Sequence, residues 1–135
     1  MNKYKVKFLS QLETKPLQGD YHALLKDLVI KTFRGILQIE AGFITDFMSS
    51  DYISFMLPRY SSYTARASCM HDYLYKDQAI NGIEVTKYEA DQMFYNGMIE
   101  DGTSKWKAKL AYYGVKFGAK KVWNYYKEIK QKETK

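Results

Sequence analysis

Cysteine is nearly missing from this chain. Cys69 stands alone among 135 residues, which excludes an intrachain disulfide framework and a multi-cysteine zinc site. A reducing compartment fits that usage. Histidine is almost as scarce, with only His22 and His71, so imidazole proton transfer near neutral pH must use one of the two. No apolar run approaches the length of a membrane span. The opening Met1-Asn2-Lys3-Tyr4-Lys5 lacks the apolar core of a secretory signal. The expected location is a cytoplasm, or a particle released by lysis.

Acidic residues are the next shortage, and it is local. From Gly102 onward ten lysines face only Glu128 and Glu133, a balance of +8, so the remainder carries −2 of the total +6. One reading is a solvated lysine face that keeps a helix soluble. The other is a binding surface, carried by Lys116, Lys120, Lys121 and Lys127, for an anionic membrane, an acidic protein or a nucleic acid. Nucleic acid is the weakest of these three; steep salt dependence would be its mark.

Tyrosine is abundant, at thirteen, but it serves half-buried positions and binding surfaces alike. The length fits one domain with a real core. We expect an α+β fold over residues 1–130, with a frayed lysine-rich tail over 131–135. The N-terminal half reads as a small antiparallel sheet. Residues 3–8 alternate polar and apolar as a half-buried strand does. Residues 25–32 and 35–39 are β-branched-rich, and the Thr32-Phe33-Arg34-Gly35 stretch between them predicts a hairpin. Residues 42–50 form a loop or short edge segment, followed by an ambiguous apolar stretch over 51–57 that Pro58 ends.

The C-terminal half reads as three helices. The first starts near Ser62 or Thr64, both good caps, and runs to about Lys76. Asn81-Gly82 is a turn signal. The second starts at Thr86, which has the capping-box spacing to Glu89, and Gly102 stops it. The third is long, over 104–130. Trp106, Leu110, Tyr113 and Phe117 form one apolar stripe on it; Val115, Ala119, Val122, Tyr126 and Ile129 form another. Together they predict a wide buried face, with Tyr112, Tyr113, Trp123, Tyr125 and Tyr126 as core and rim rather than a base-stacking platform. Gly114 and Gly118 would let another helix approach closely.

The chemistry concentrates in Cys69-Met70-His71-Asp72-Tyr73-Leu74-Tyr75 and, nineteen residues after Asp72, in Asp91. Antiparallel packing of the first two helices would set Asp91 beside His71. His71 and Tyr75, four apart, share a face, while Asp72 points about 100° away. A histidine oriented by a carboxylate is a general base, with Tyr75 as support for Asp91. No nucleophile elbow is present, so water is the natural nucleophile. Asp72 is the candidate ligand for a hard cation such as calcium, with loop oxygens and Asp46. The bland alternative is a helix-packing histidine satisfied by Asp91, with Asp72 paired to a lysine or to Arg66. Cys69 reads as a small buried residue, and His22 as an exposed loop residue.

H-D-x-x-Y on one helix followed by A-D-x-x-F on the next resembles the secreted calcium-dependent phospholipases of the A-two class and the phospholipase domain of parvovirus capsid proteins. The resemblance covers residues 70–94. It implies His71 as the base, Asp72 as a calcium ligand and Asp91 as the residue that orients the histidine, with Tyr75, Ala90 and Phe94 completing the pattern. The Gly-rich calcium loop of those enzymes has no counterpart; Gly42-Phe43-Ile44-Thr45-Asp46 lies in its place. A second resemblance spans about 35–120. Gly42, Phe43, Thr45, Asp46 and Ser49, then Pro58, then His71, Asp72, Leu74 and Tyr75, then Ala90, Asp91 and Phe94 look like a small tailed-phage and prophage family of unknown function. It adds Thr45 and Ser49 to the candidate site. A position usually held by arginine falls at or near Lys87.

Two functions follow as expectations. The first is a phage-encoded, phospholipase-like hydrolase acting at a phospholipid surface, with Ca2+ at Asp72 and Asp46. The second is a non-enzymatic phage protein in the virion or the host bacterial cytoplasm, an assembly part or an inhibitor of a host protein. There the His-Asp-Tyr cluster fixes helix packing. Exposure of His71 separates them: a catalytic base faces a cleft, and a structural network is sealed.

Overall fold

The computed structural model describes residues 3–47 and 64–133. Among the described residues the fold is α+β, with small antiparallel sheets in the N-terminal half, then four helices, and a two-stranded sheet between the first two of them. The strongest sheet signal becomes the central hairpin. β4 (Leu28–Thr32) pairs with β5 (Gly35–Ile39), Leu28 facing Ile39 and Thr32 facing Gly35. Phe33 and Arg34 make the turn, and Gly35 takes φ 92°, a conformation that a side chain would strain. The Thr32 hydroxyl donates to the Gly35 carbonyl at 2.7 Å and accepts the Arg34 N–H at 3.1 Å, locking the corner. Leu28, Ile30, Leu37 and Ile39 point inward to the core, as the period of two requires.

β1 (Lys7–Phe8) adds to the free edge of β4. It is shorter than the strand expected over 3–8. Tyr4 instead leaves the strand line to set its ring edge-on against Phe33, 4.9 Å away. The strand expected over 25–32 also starts later. Residues 25–27 bend instead, leading from a second sheet of β2 (Thr14–Pro16), β3 (His22–Leu24) and β6 (Ile44–Thr45), in the order β2-β3-β6. His22 is therefore a half-buried strand residue rather than an exposed loop residue. Its Nδ1 lies 3.4 Å from the Thr14 hydroxyl and its ring packs against Phe47. The Asn81-Gly82 signal closes a third, two-stranded sheet between β7 (Ala79–Ile80) and β8 (Ile83–Glu84). Both turn residues have positive φ, 52° and 79°, as this dipeptide favours.

α1 (Ala65–Asp77) follows Thr64 and ends at Gln78, whose left-handed φ of 56° turns its N–H back to the Leu74 carbonyl. α2 (Lys87–Glu100) starts with the expected capping box, Thr86 and Glu89 bonding reciprocally at 3.0–3.1 Å. Gly102 stops it with φ 99°. A close approach of two helices occurs at Gly97 of α2. A methyl there would lie 3.1 Å from the Ala67 Cβ of α1.

The long third helix expected over 104–130 is two helices. α3 (Lys105–Gly118) stops at a glycine, a weak helix former, and the Ala119 N–H returns to the Val115 carbonyl. α4 (Lys120–Glu133) then departs, so residues 131–133 are helical rather than frayed tail. The break gives each part its own partner: α3 packs on α2, and α4 packs on α1. Trp123 meets Tyr75 edge-on at 4.9 Å, Gln78 donates to the Trp123 carbonyl, and Lys130 clasps the Asp77 carbonyl and carboxylate.

The expected burial of the α3 stripe is reversed. Its buried side chains are the small ones, Ala108, Ala111 and Val115, followed by Ala119. Trp106, Leu110, Tyr113 and Phe117 face outward, at 63%, 45%, 50% and 75% exposure. On α4, Val122 and Ile129 are also exposed, so only Ala119, Val115 and the half-buried Tyr126 of the second stripe turn inward. Among the aromatics expected as core and rim, Trp123 is core, Tyr112 and Tyr126 are rim, and Tyr113 and Tyr125 are exposed.

Candidate functional site: a sealed helix seam

The antiparallel seam of α1 and α2 brings His71, Tyr75 and Asp91 together. His71 and Tyr75 lie one turn apart on the inner face of α1. Asp91 lies one turn into α2, in line with them. The His71 Nε2–H donates to Asp91 Oδ1 at 2.7 Å, and the Tyr75 hydroxyl donates to the same oxygen at 2.7 Å. An ionised carboxylate accepts only, so its bond fixes the proton on Nε2. The His71 ring is sandwiched between Tyr75 and Phe94, 4.3 and 4.5 Å away.

A fourth member is Lys87, one turn before Asp91. Its ammonium donates to Asp91 Oδ2 at 2.8 Å and to the Val115 and Lys116 carbonyls at the end of α3, at 2.9 and 3.2 Å. A cation there also suits the negative end of the α3 dipole. The tie therefore spans three helices. Burial works to raise the Asp91 pKa, but the bond and charge of His71, then the bonds from Lys87 and Tyr75, outweigh it and hold the carboxyl below its ordinary value. His71 is 0% exposed, and Asp91 and Tyr75 are 2% exposed. A cleft of about 640 Å3 near His22, Phe47 and Arg66 does not reach them, nor does one of about 470 Å3 at Asp77, Gln78 and Lys130.

Asp72 leaves the same helix turn in another direction and meets the loop after β6. Its carboxylate takes the Thr45 hydroxyl and the Asp46 backbone N–H as partners. The loop bends tightly there: Phe47 has φ 53°, and its N–H donates to the Thr45 hydroxyl at 3.0 Å. Asp72 Oδ2 is buried without a hydrogen bond. The Lys76 ammonium is 3.7 Å away, close enough to pair in charge but not to bond. Burial, above all, pushes the Asp72 pKa up; Asp46 adds to the rise, and Lys76 opposes it. Arg66, the other possible partner of Asp72, pairs with Asp101 instead. Cys69 is fully buried nearby, and burial first, then the charge of Asp72, pushes its thiol pKa far up, as befits an inert core residue.

Among the described residues no group of three or more His, Cys, Asp or Glu side chains could hold a metal ion. The Lys76 charge beside the free oxygen of Asp72 also opposes a cation. Ser49, Ser62, Pro58 and the stretch over 51–57 lie outside the described residues.

The chain over residues 22–115 matches DUF1353, described as a protein of unknown function. The chain belongs to this family. No curated protein and no solved structure matches it. The DUF1353 match begins at β3 and ends inside α3, so it takes in Thr45, Asp46, His71, Asp72, Tyr75, Lys87 and Asp91. α4 lies beyond the matched stretch, although its Trp123 covers Tyr75.

The candidate surface lysines, Lys116, Lys120, Lys121 and Lys127, are all exposed. Lys116 lies over the rings of Tyr113 and Phe117, at 5.9 and 5.3 Å. No helix among the described residues is long and apolar enough to cross a membrane. Lys87 is the member of the seam that sequence reasoning left without a role. Its spacing of four before Asp91 was the available signal.

Proposed function

We propose that this DUF1353 protein works by docking to a partner, and that its His71–Asp91–Tyr75 cluster is a structural tie. The observation that carries the reading is the complete burial of His71 against an Asp91 already paired with Lys87. A general base must offer a ring nitrogen to water in a cleft. An orienting carboxylate must also be free to stabilise the imidazolium as it forms. Here the charge of Asp91 is balanced by Lys87, and Lys87 fastens α2 to the end of α3. In the tailed-phage setting that the motif resemblance implies, the partner belongs to the particle or to the host cell.

A second reading, the phospholipase-like hydrolase, is favoured by the 2.7 Å His71–Asp91 bond and by the unbonded oxygen of Asp72. It requires the seam to open to water. The test is fatty-acid release from mixed phospholipid vesicles, with calcium and with chelator, for wild type, His71→Gln and Asp91→Asn. Under the docking reading no sample releases fatty acid, and both variants melt at lower temperature. Calcium-dependent release that both variants lose while folded would replace docking with hydrolysis.

A further inference from the structure

We infer that α3 docks flat on an anionic phospholipid surface, with Trp106, Leu110, Tyr113 and Phe117 entering the headgroup region. The inference rests on the docking reading and names its partner. These four side chains recur at intervals of four, three and four, a line about 16 Å long on a helix. They stand opposite Ala108, Ala111 and Val115, which pack on the body of the protein. The helix thus has two apolar faces, a small-residue face for the fold and a large, mostly aromatic face for something else. Scattered exposed apolar residues need no explanation, but an aligned row of this kind does.

The charges around the row identify its partner. α3 contains Lys105, Lys107, Lys109 and Lys116 and no acidic residue. At about 100° per residue, Lys105, Lys109 and Lys116 flank the row on one side and Lys107 on the other. The ammonium of Lys107 is 5.6 Å from the Trp106 ring and that of Lys116 is 5.3 Å from the Phe117 ring. Their aliphatic stems therefore run beside the apolar row, and their charges sit at its rim. Trp, Leu and Phe bordered by lysine is the pattern that beds in a lipid interface, rings among the acyl boundary and ammonium groups at phosphate level. A second copy of the chain would bring these lysines face to face with no carboxylate on either helix to answer them. A single-stranded nucleic acid would stack on aromatic rings, and Leu110, within the row, offers none.

The test is vesicle flotation of the whole chain. One set of vesicles is phosphatidylcholine alone; the other contains phosphatidylglycerol as well. Tryptophan emission and released fatty acid are read in the same samples. The protein floats with the phosphatidylglycerol vesicles only, and its emission shifts to the blue. Trp106→Phe removes the shift and retains flotation, because the remaining Trp123 is already buried against Tyr75. The double variant Leu110→Ser, Phe117→Ser keeps every lysine and partitions at least about tenfold more weakly. Flotation that this variant retains in full would overturn the inference, because the lysines alone would then be binding. So would dimerisation lost in the variant, or binding to single-stranded DNA but not to vesicles. Absence of both flotation and release overturns the lipid partner and turns the docking reading towards a protein. Fatty-acid release overturns the docking reading itself.

Discussion

The α1–α2 seam and the outer face of α3 use the same residue types in opposite ways. In the seam, aromatic rings and a polar network are closed inside, with Tyr75, Phe94 and His71 all buried. On α3 the large rings are outside and alanines are inside. Both segments show helical spacing of apolar residues. Spacing defines a stripe; it does not say whether the stripe faces the core. What decides is size. α3 packs close to α2, and only small side chains fit that contact, so the bulky row is forced to the other side.

Breaking the seam has the largest expected effect. Asp91→Asn removes the negative charge and one of the two acceptor oxygens used by His71, Tyr75 and Lys87, and leaves the part-buried Lys87 ammonium without its counter-charge. The expected loss is about 3 to 5 kcal/mol in urea unfolding. His71→Gln, which removes one bond and keeps the Lys87 pair, should cost about 1 to 3 kcal/mol. The pH dependence has a definite sign. The Asp91 pKa is lowered in the fold, so its contribution is present above the ordinary carboxylate value of about 4. It is lost as pH falls through the lowered value. The stability gap between wild type and Asp91→Asn should therefore close in acid.

Gly97→Ala attacks the seam by crowding. The new methyl meets Ala67 at 3.1 Å, Met70 at 3.2 Å and Phe8 at 3.3 Å. Overpacking of about 1 to 3 kcal/mol outweighs the gain of about 1 kcal/mol in helix propensity. A chemical melt that shows the variant more stable would mean the two helices part easily. Asp72→Asn should act in the opposite direction. The Asp72 pKa is raised, so the fold prefers the protonated carboxyl. Wild type then loses stability as pH rises from the ordinary carboxylate value through the raised one. The asparagine variant should be more stable at neutral pH, by about 1 kcal/mol on the scale of buried polar groups. That advantage fades in acid. The smallest effect is expected on α3. Trp106→Ser and Phe117→Ser should each change stability by about 0.5 kcal/mol or less. A loss several times larger would make the row part of the core and erase the contrast.

Local signals carried much of this into view from the sequence. Thr86 with Glu89, Asn81-Gly82, Gly102 and the Thr32-Gly35 corner are short-range chemistry, and each sits where it was expected. The meeting of His71 with Asp91 was also legible, because a short connection leaves two helices little choice but antiparallel packing. What escaped depended on the third dimension. The stop at Gly118 was hidden inside a continuous apolar period. The role of Lys87 depends on carbonyls at the end of α3, 28 and 29 residues away. β2 is three residues of mostly exposed chain, which has no apolar alternation to show.

The clasp between α1 and α4 has a consequence in time. Gln78 reaches the Trp123 carbonyl across 45 residues, and Lys130 reaches Asp77 across 53. Contacts so distant along the chain form late, since the intervening loop must first be closed. During synthesis the hairpin, α1 and α2 are all made before Trp123 exists. Until then Tyr75 lacks its edge-on contact with the Trp123 ring. Completion of the last helix thus finishes the packing around the C-terminal end of α1. A ribosome stalled before Trp123 would hold a chain in which neither Tyr75 nor Gln78 has met its partner on the last helix.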